Sequence, residues 1–155
     1  ILNECLLLIT TLAEEHGINV SVPEEAMEVP MVRADHTRFK QVLLTLMSNA
    51  VKYNRKNGTV SIPIEKVADK MLRIAVTDTG EGIHEDKQKE LFKPFSRLGA
   101  ETSGVEGTGI GLVVSKDLIE RMSGAIGVES EVGKGATFWI ELSLVDLVID
   151  KATAA

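Results

Sequence analysis

Leu72-Arg73-Ile74-Ala75-Val76-Thr77-Asp78-Thr79-Gly80-Glu81-Gly82-Ile83 begins as a strand and ends as a glycine-bearing loop. Side chains alternate along a strand, so Leu72, Ile74, Val76 and Asp78 share one face and a carboxylate ends an apolar row. A charge placed there needs a partner, because burying it unpaired is costly. A donor such as the exocyclic amine of adenine would suit it. Gly80 and Gly82 let the backbone turn and approach a flat ligand closely. Taken alone, the same residues also fit an Asp-rich turn.

The flanking segments extend this into a mixed fold. Residues 1–16 read as a helix with Leu2, Leu6, Ile9 and Leu12 or Ala13 on one face, stopped by Gly17. Cys5 lies among them and reads as a buried, inert thiol. Ile18, Val20 and Val22 alternate as a short strand. Asp35 is an N-cap candidate for a helix running to Arg55, with Phe39, Val42, Leu43, Leu46 and Ala50 as its apolar stripe. Asn57-Gly58 breaks it. Val60 to Ile64 and Leu72 to Asp78 read as strands joined near Asp69-Lys70, with Pro63 demanding an edge position or a bulge. A short helix near Glu85 to Leu91 and a flexible stretch from Ser96 to Glu106 follow. A helix from about Thr108 to Met122 and a hairpin of Ile126 to Val132 with Thr137 to Leu144 complete the order. Such an order suits a mixed sheet with helices on one face.

At 155 residues the chain fits one domain, and 44% hydrophobic with 26% charged residues excludes wholesale disorder. A net charge of −6 argues against a nucleic-acid surface, and 4% aromatics argue against base-stacking platforms. The single cysteine excludes a disulfide framework or a cysteine zinc cluster. The apolar opening to Leu12 is interrupted by Asn3, Glu4, Thr10 and Thr11, too short for a bilayer span and without a basic leader. A start at Ile1 suggests a piece of a longer protein, and residues 146–155 have no reason to be ordered.

Two further signals accompany the Asp78 loop. On the long helix Arg38, Thr45, Asn49, Lys52 and Lys56 form a polar stripe beside the apolar one, with Tyr53 on the border. An Asn at such a seam can direct its oxygen at a cation, and a Lys one turn on can meet a phosphate. Magnesium takes few protein oxygens beside substrate phosphates. Gly107-Thr108-Gly109-Ile110-Gly111-Leu112 opens a later helix, where free N–H groups and the positive dipole end favour phosphate. It is neither the dinucleotide fingerprint nor the G-x-x-x-x-G-K-[ST] loop. Each alone also fits an amphipathic helix or a glycine-rich loop.

In order and context, the motifs resemble the ATP-binding catalytic domain of sensor histidine kinases. That domain belongs to the superfamily shared with gyrase-type, heat-shock-chaperone and mismatch-repair ATPases. Asn49-Ala50-Val51-Lys52-Tyr53 is similar to its N box and Asp78 to Ile83 to its first glycine box. Leu91-Phe92-Lys93-Pro94-Phe95 is similar to its F box and Gly107 to Leu112 to its second glycine box. The resemblance implies the α+β Bergerat fold. This is a two-layer sandwich whose mixed, mostly antiparallel sheet of about five strands is covered on one face by three helices, with a flexible ATP lid. It implies a junction helix at 1–16, leading from a dimerisation domain, and the catalytic domain at 17–145. It also implies ATP and Mg2+ as cofactors. Asn49 would ligate magnesium and Lys52 would meet the phosphates. Tyr53 would pack on the adenine and Asp78 would accept from its amino group. Gly80, Gly82 and Ile83 would shape that pocket. Ser96 to Glu106 would form the lid, with Arg97 as a phosphate contact and Gly107, Thr108, Gly109, Gly111 and Leu112 around its hinge.

Two positions depart from the pattern. Thr45 stands where such kinases often carry a second Asn, and Ala136 where a hydroxyl often reaches the adenine through water. Hydrolysing relatives place a Glu one turn before the metal Asn as general base, a task Thr45 cannot perform. The pattern therefore favours phosphoryl transfer over hydrolysis. His16, His36 and His84 read as structural or surface residues, so the accepting histidine would lie on a separate dimerisation domain. The expected partners are ATP, that domain and a response regulator receiver domain, with no nucleic acid and no membrane contact. The expected state is a cytoplasmic monomer. The alternatives are a non-catalytic ATP-binding regulatory module and, further off, a gyrase- or chaperone-like ATPase fragment.

Overall fold

The computed structural model describes residues 1–24, 31–94 and 110–145. In chain order these form α1 (Leu2–His16), β1 (Asn19–Ser21), α2 (His36–Lys52), β2 (Thr59–Ser61), β3 (Ile64–Ala68) and β4 (Met71–Asp78). There follow α3 (Glu85–Gln88), α4 (Gly111–Arg121), β5 (Ala125–Glu131) and β6 (Gly135–Ser143). The sheet runs β1-β2-β4-β6-β5, with β3 also paired to β4. Only β1 with β2 is parallel.

The expected five strands become six because of Pro63. Val60 pairs with Asp78 and Ile64 with Ile74, so β2 and β3 hold one register along the same edge of β4. Pro63 lies between them and its carbonyl accepts from the Ala75 N–H at 3.0 Å. Lacking an N–H of its own, it cannot return the bond, and one strand is divided into two.

Asp35 caps α2 as expected, accepting from the Arg38 N–H at 3.0 Å. The helix ends at Lys52, before the expected Arg55, so Lys56 falls outside the polar stripe. Asn54 explains the stop. Its carboxamide donates to the Thr59 carbonyl at 2.9 Å and accepts from the Arg55 N–H at 2.9 Å, replacing helical bonds.

Cys5, Ile9 and Ala13 form the buried stripe of α1, with Leu2, Leu6 and Leu12 partly buried beside it. Burial pushes the Cys5 thiol up, as an inert core cysteine requires. Gly17 ends the helix at φ 66, ψ 32, where glycine carries no Cβ penalty. These residues share one core with Val42, Leu43, Leu46 and Met47 of α2, Leu118 and Ile119 of α4, and Leu72, Ile74, Val76, Phe138 and Ile140 of the sheet. The opposite sheet face is a polar ladder. Arg73 donates to Glu141 from Nε at 2.9 Å and Nη2 at 2.6 Å and lies 4.5 Å over the Trp139 ring, while Thr77 and Thr137 bond at 2.9 Å. With its helices on one face, the sheet presents the end of β4 to the helix layer. That is where Asp78 stands.

Candidate functional site

Asp78 completes the buried row of β4 and is 6% exposed. Its Oδ1 accepts from the Gly80 N–H at 2.8 Å and the Ala136 N–H at 3.3 Å. Both bonds fall on one oxygen, so among the described residues Oδ2 has no protein donor and can accept from an outside one. Desolvation raises the carboxyl above the ordinary aspartate range, and the two N–H groups act against it. The burial expected from strand alternation is present.

Glycines bring the neighbouring backbones together here. A Cβ on Gly80 would lie 2.5 Å from the Tyr53 carbonyl and 3.0 Å from Asp78 Oδ1, so the end of α2 and the carboxylate meet across it. Gly82, at φ 77, turns the loop against the Glu131 carbonyl. Ile83 is half-buried against the core, and its N–H donates to Ser130 Oγ at 2.8 Å.

Asn49, Lys52 and Tyr53 follow one another around the last turn of α2. Asn49 and Lys52 are half-buried, and among the described residues neither side chain has a hydrogen-bond or ion-pair partner. Tyr53 is 41% exposed. An uncommitted carboxamide oxygen beside an unpaired ammonium suits a hard cation and a phosphate. Thr45, one turn earlier, donates to the Gln41 carbonyl at 3.0 Å. Its methyl would sit 3.1 Å from a Cβ on Gly111, so glycine lets the start of α4 approach α2 there. Leu112 is half-buried beside it and packs on the core. Arg97, Gly107, Thr108, Gly109 and the stretch from Ser96 to Glu106 lie outside the described residues, as do Phe95 and 146–155.

Among the described residues no histidine side chain bonds to this constellation, although His84 directly follows Ile83. His16 bonds the Leu12 carbonyl at 2.9 Å, His36 lies 3.5 Å from Glu4, and His84 accepts from the Asp86 N–H at 3.3 Å as the cap of α3. No helix among the described residues is long and apolar enough to cross a membrane.

Sequence reasoning missed the residues that tie the site together. Thr79 Oγ1 accepts from the Thr59 N–H at 2.9 Å and donates to Asn54 Oδ1 at 3.2 Å, joining the end of β4 to the end of α2. Gln88 and Ser130 bind the glycine loop to β5. Thr, Asn, Gln and Ser in loops carry no periodic signal. Asn54 itself fell inside the helix expected to run to Arg55, so its bonds had no local signal.

Known proteins share this arrangement. The family described as histidine kinase-, DNA gyrase B-, and HSP90-like ATPase matches residues 34–146. The sensor histidine kinase AruS of Pseudomonas aeruginosa is 35% identical over 99% of this chain and 16% of its own length. The circadian input-output histidine kinase CikA of Synechococcus elongatus is 41% identical over 77% of this chain and again 16% of its own length. The chain thus aligns with only a small part of either relative. Among solved structures, full-length ShkA in complex with AMPPNP superposes with a TM-score of 0.80 and 31% identity, covering 93% of this chain and 30% of that one. Histidine kinase ThkA in complex with the response regulator protein TrrA gives 0.72 and 26%, covering 93% of this chain and 39% of that one. The family match over most of the chain, with relatives aligned over 99% and 77% of it, shows that the chain belongs to the histidine kinase-, DNA gyrase B-, and HSP90-like ATPases.

Proposed function

We propose that the chain is the ATP-binding catalytic domain of a two-component sensor histidine kinase. It binds Mg-ATP and donates the γ-phosphoryl group to a histidine on a separate dimerisation domain, for onward signalling to a response regulator. The observation that carries this is Asp78, a buried carboxylate with Oδ1 committed and, among the described residues, Oδ2 left to accept. The adenine amino group is the donor of matching size and polarity. Sensor histidine kinases among the relatives, and a neighbour in complex with AMPPNP, support the same reading. The setting is cytoplasmic, and helix α1 leads toward the dimerisation domain.

Each end of the nucleotide has its residues. Asp78 orients the base, Gly80 and Gly82 keep the loop close, and Tyr53 packs on the ring. Asn49 is the magnesium ligand, which its carboxamide, without a partner among the described residues, fits, and Lys52 meets the phosphates. Bound magnesium supplies charge neutralisation on the triphosphate. Thr45 has no basicity to activate water, and its proton already goes to Gln41, so the γ-phosphoryl group is kept for transfer. Arg97 contacts the phosphates, with Gly107, Thr108, Gly109, Gly111 and Leu112 at the hinge of the lid. The test is labelled ATP with and without an added histidine-bearing dimerisation domain. Label should move to that domain only when it is present. Binding without transfer would favour a nucleotide-gated regulator, and rapid hydrolysis by the chain alone would favour an ATPase.

A further inference from the structure

We infer that Ser130, locked by Gln88, is the positioning residue that aims the Asp78 carboxylate and so sets the preference for adenine over guanine; this rests on the nucleotide reading above. Ser130 pairs with Ala136 across β5 and β6, and Ala136 adjoins Asp78 across β6 and β4. The three therefore form one lateral row. The peptide unit between Gly135 and Ala136 is held from both sides. Its carbonyl accepts from Ser130 Oγ at 2.7 Å, and its N–H donates to Asp78 Oδ1 at 3.3 Å. A trans peptide is planar with O and H on opposite edges, so fixing the carbonyl aims the N–H.

The Ser130 hydroxyl is itself oriented. It accepts from the Ile83 N–H at 2.8 Å, which leaves its proton for Gly135. Gln88 Nε2 then donates to the carbonyls of Ile83 and Ser130, each at 2.9 Å, clamping the loop to the strand. The chain of bonds runs from half-buried Gln88 and Ser130 through one peptide plane to the buried carboxylate, and connected networks of this kind act as units. Room for it exists because Gly135, at φ 88, packs directly on the Asp78 carbonyl. Because Asp78 has one further oxygen to offer, a small tilt changes which ring edge it can accept from. Adenine presents an amino group where guanine presents a carbonyl.

The test titrates the chain with Mg-ATP and Mg-GTP and follows amide exchange without nucleotide. Ser130→Ala should weaken ATP about tenfold while GTP changes less than about twofold, because the peptide that donates to the Asp78 carboxylate loses its anchor. Ser130→Thr keeps the hydroxyl and should recover most of the preference. Gln88→Met removes both donors at similar volume and should cost ATP about threefold. The Ala136 amide should exchange faster in Ser130→Ala, with Ile140 unchanged as a control. Parallel losses for both nucleotides, or an unaltered Ala136 exchange rate, would overturn the proposal. A wild-type chain that binds neither nucleotide would instead sink the adenine reading, and exchange at Ala136 would then decide the Ser130–Asp78 link alone.

Discussion

At the Asp78 end of the site the polar groups are engaged before a ligand arrives, whereas at the Asn49 end they are not. Asp78 is buried and gripped by two backbone N–H groups, with Ser130, Gln88 and Gly135 fixing what grips it. Asn49 and Lys52 stand half-exposed on the last turn of α2, without partners among the described residues. On the proposed nucleotide reading, the difference follows from what each end recognises. A neutral base is told apart by a preset hydrogen-bond pattern in a dry pocket, which demands rigid groups. A triphosphate with its cation carries enough charge to organise flexible side chains on arrival, and backbone dipoles assist.

The largest test of that contrast is Asp78→Asn. The amide keeps an acceptor for Gly80 and Ala136 but presents N–H₂ where the adenine amino group needs oxygen. ATP affinity measured by calorimetry should fall about a hundredfold or more. The same change should raise the thermal midpoint at neutral pH, because it removes a desolvated charge. Burial raises the folded carboxyl above its ordinary value of 3.8, so protonation favours the fold. Its stabilising share is complete below that value and is lost as pH rises through the raised one. The gain from Asp78→Asn should therefore appear on the neutral side of this window and vanish on the acid side. Unimpaired ATP binding by this variant would break the contrast.

Asn49→Ala tests the other end and should act on the metal alone. Titration with ATP should show about a tenfold loss in magnesium and none in its absence, with adenosine binding unchanged. Equal losses in both conditions would mean that the helix end positions the base. The smallest effect belongs to the joint between the ends. Thr79→Val deletes the bonds to Thr59 and Asn54 and should lower stability by about 1 kcal/mol in urea denaturation. Both ends should weaken slightly and together, since α2 and β4 lose their common tie.

Much of this was legible in the chain because it rests on periodicity. Strand alternation placed Asp78 on the buried row, and the helical stripe of Phe39, Val42, Leu43, Leu46 and Ala50 turned out buried as a set. On α1 the expected Ile9, Ala13 and Cys5 are buried, while Leu2, Leu6 and Leu12 of the same expected face are only partly so. Leu7, on another side of that helix, remains 77% exposed. The end of α2 and the division at Pro63 were misjudged by a few residues, since single side chains compete with backbone bonds there.

Local pattern alone was enough for the order of elements, the row ending in Asp78, and the glycines around it, because side-chain periods and backbone freedom are properties of neighbouring residues. It could not show that Asn54 reaches Thr79, or that Ser130 and Gln88 hold the peptide gripping Asp78. The bonds from Thr79 to Asn54, from Gln88 to Ser130 and from Ile83 to Ser130 span 25, 42 and 47 positions in the chain. They form only when β4, β5 and β6 lie side by side, with α3 and the end of α2 packed beside them. The identity of the carboxylate was written locally, and the direction in which it points was decided by packing.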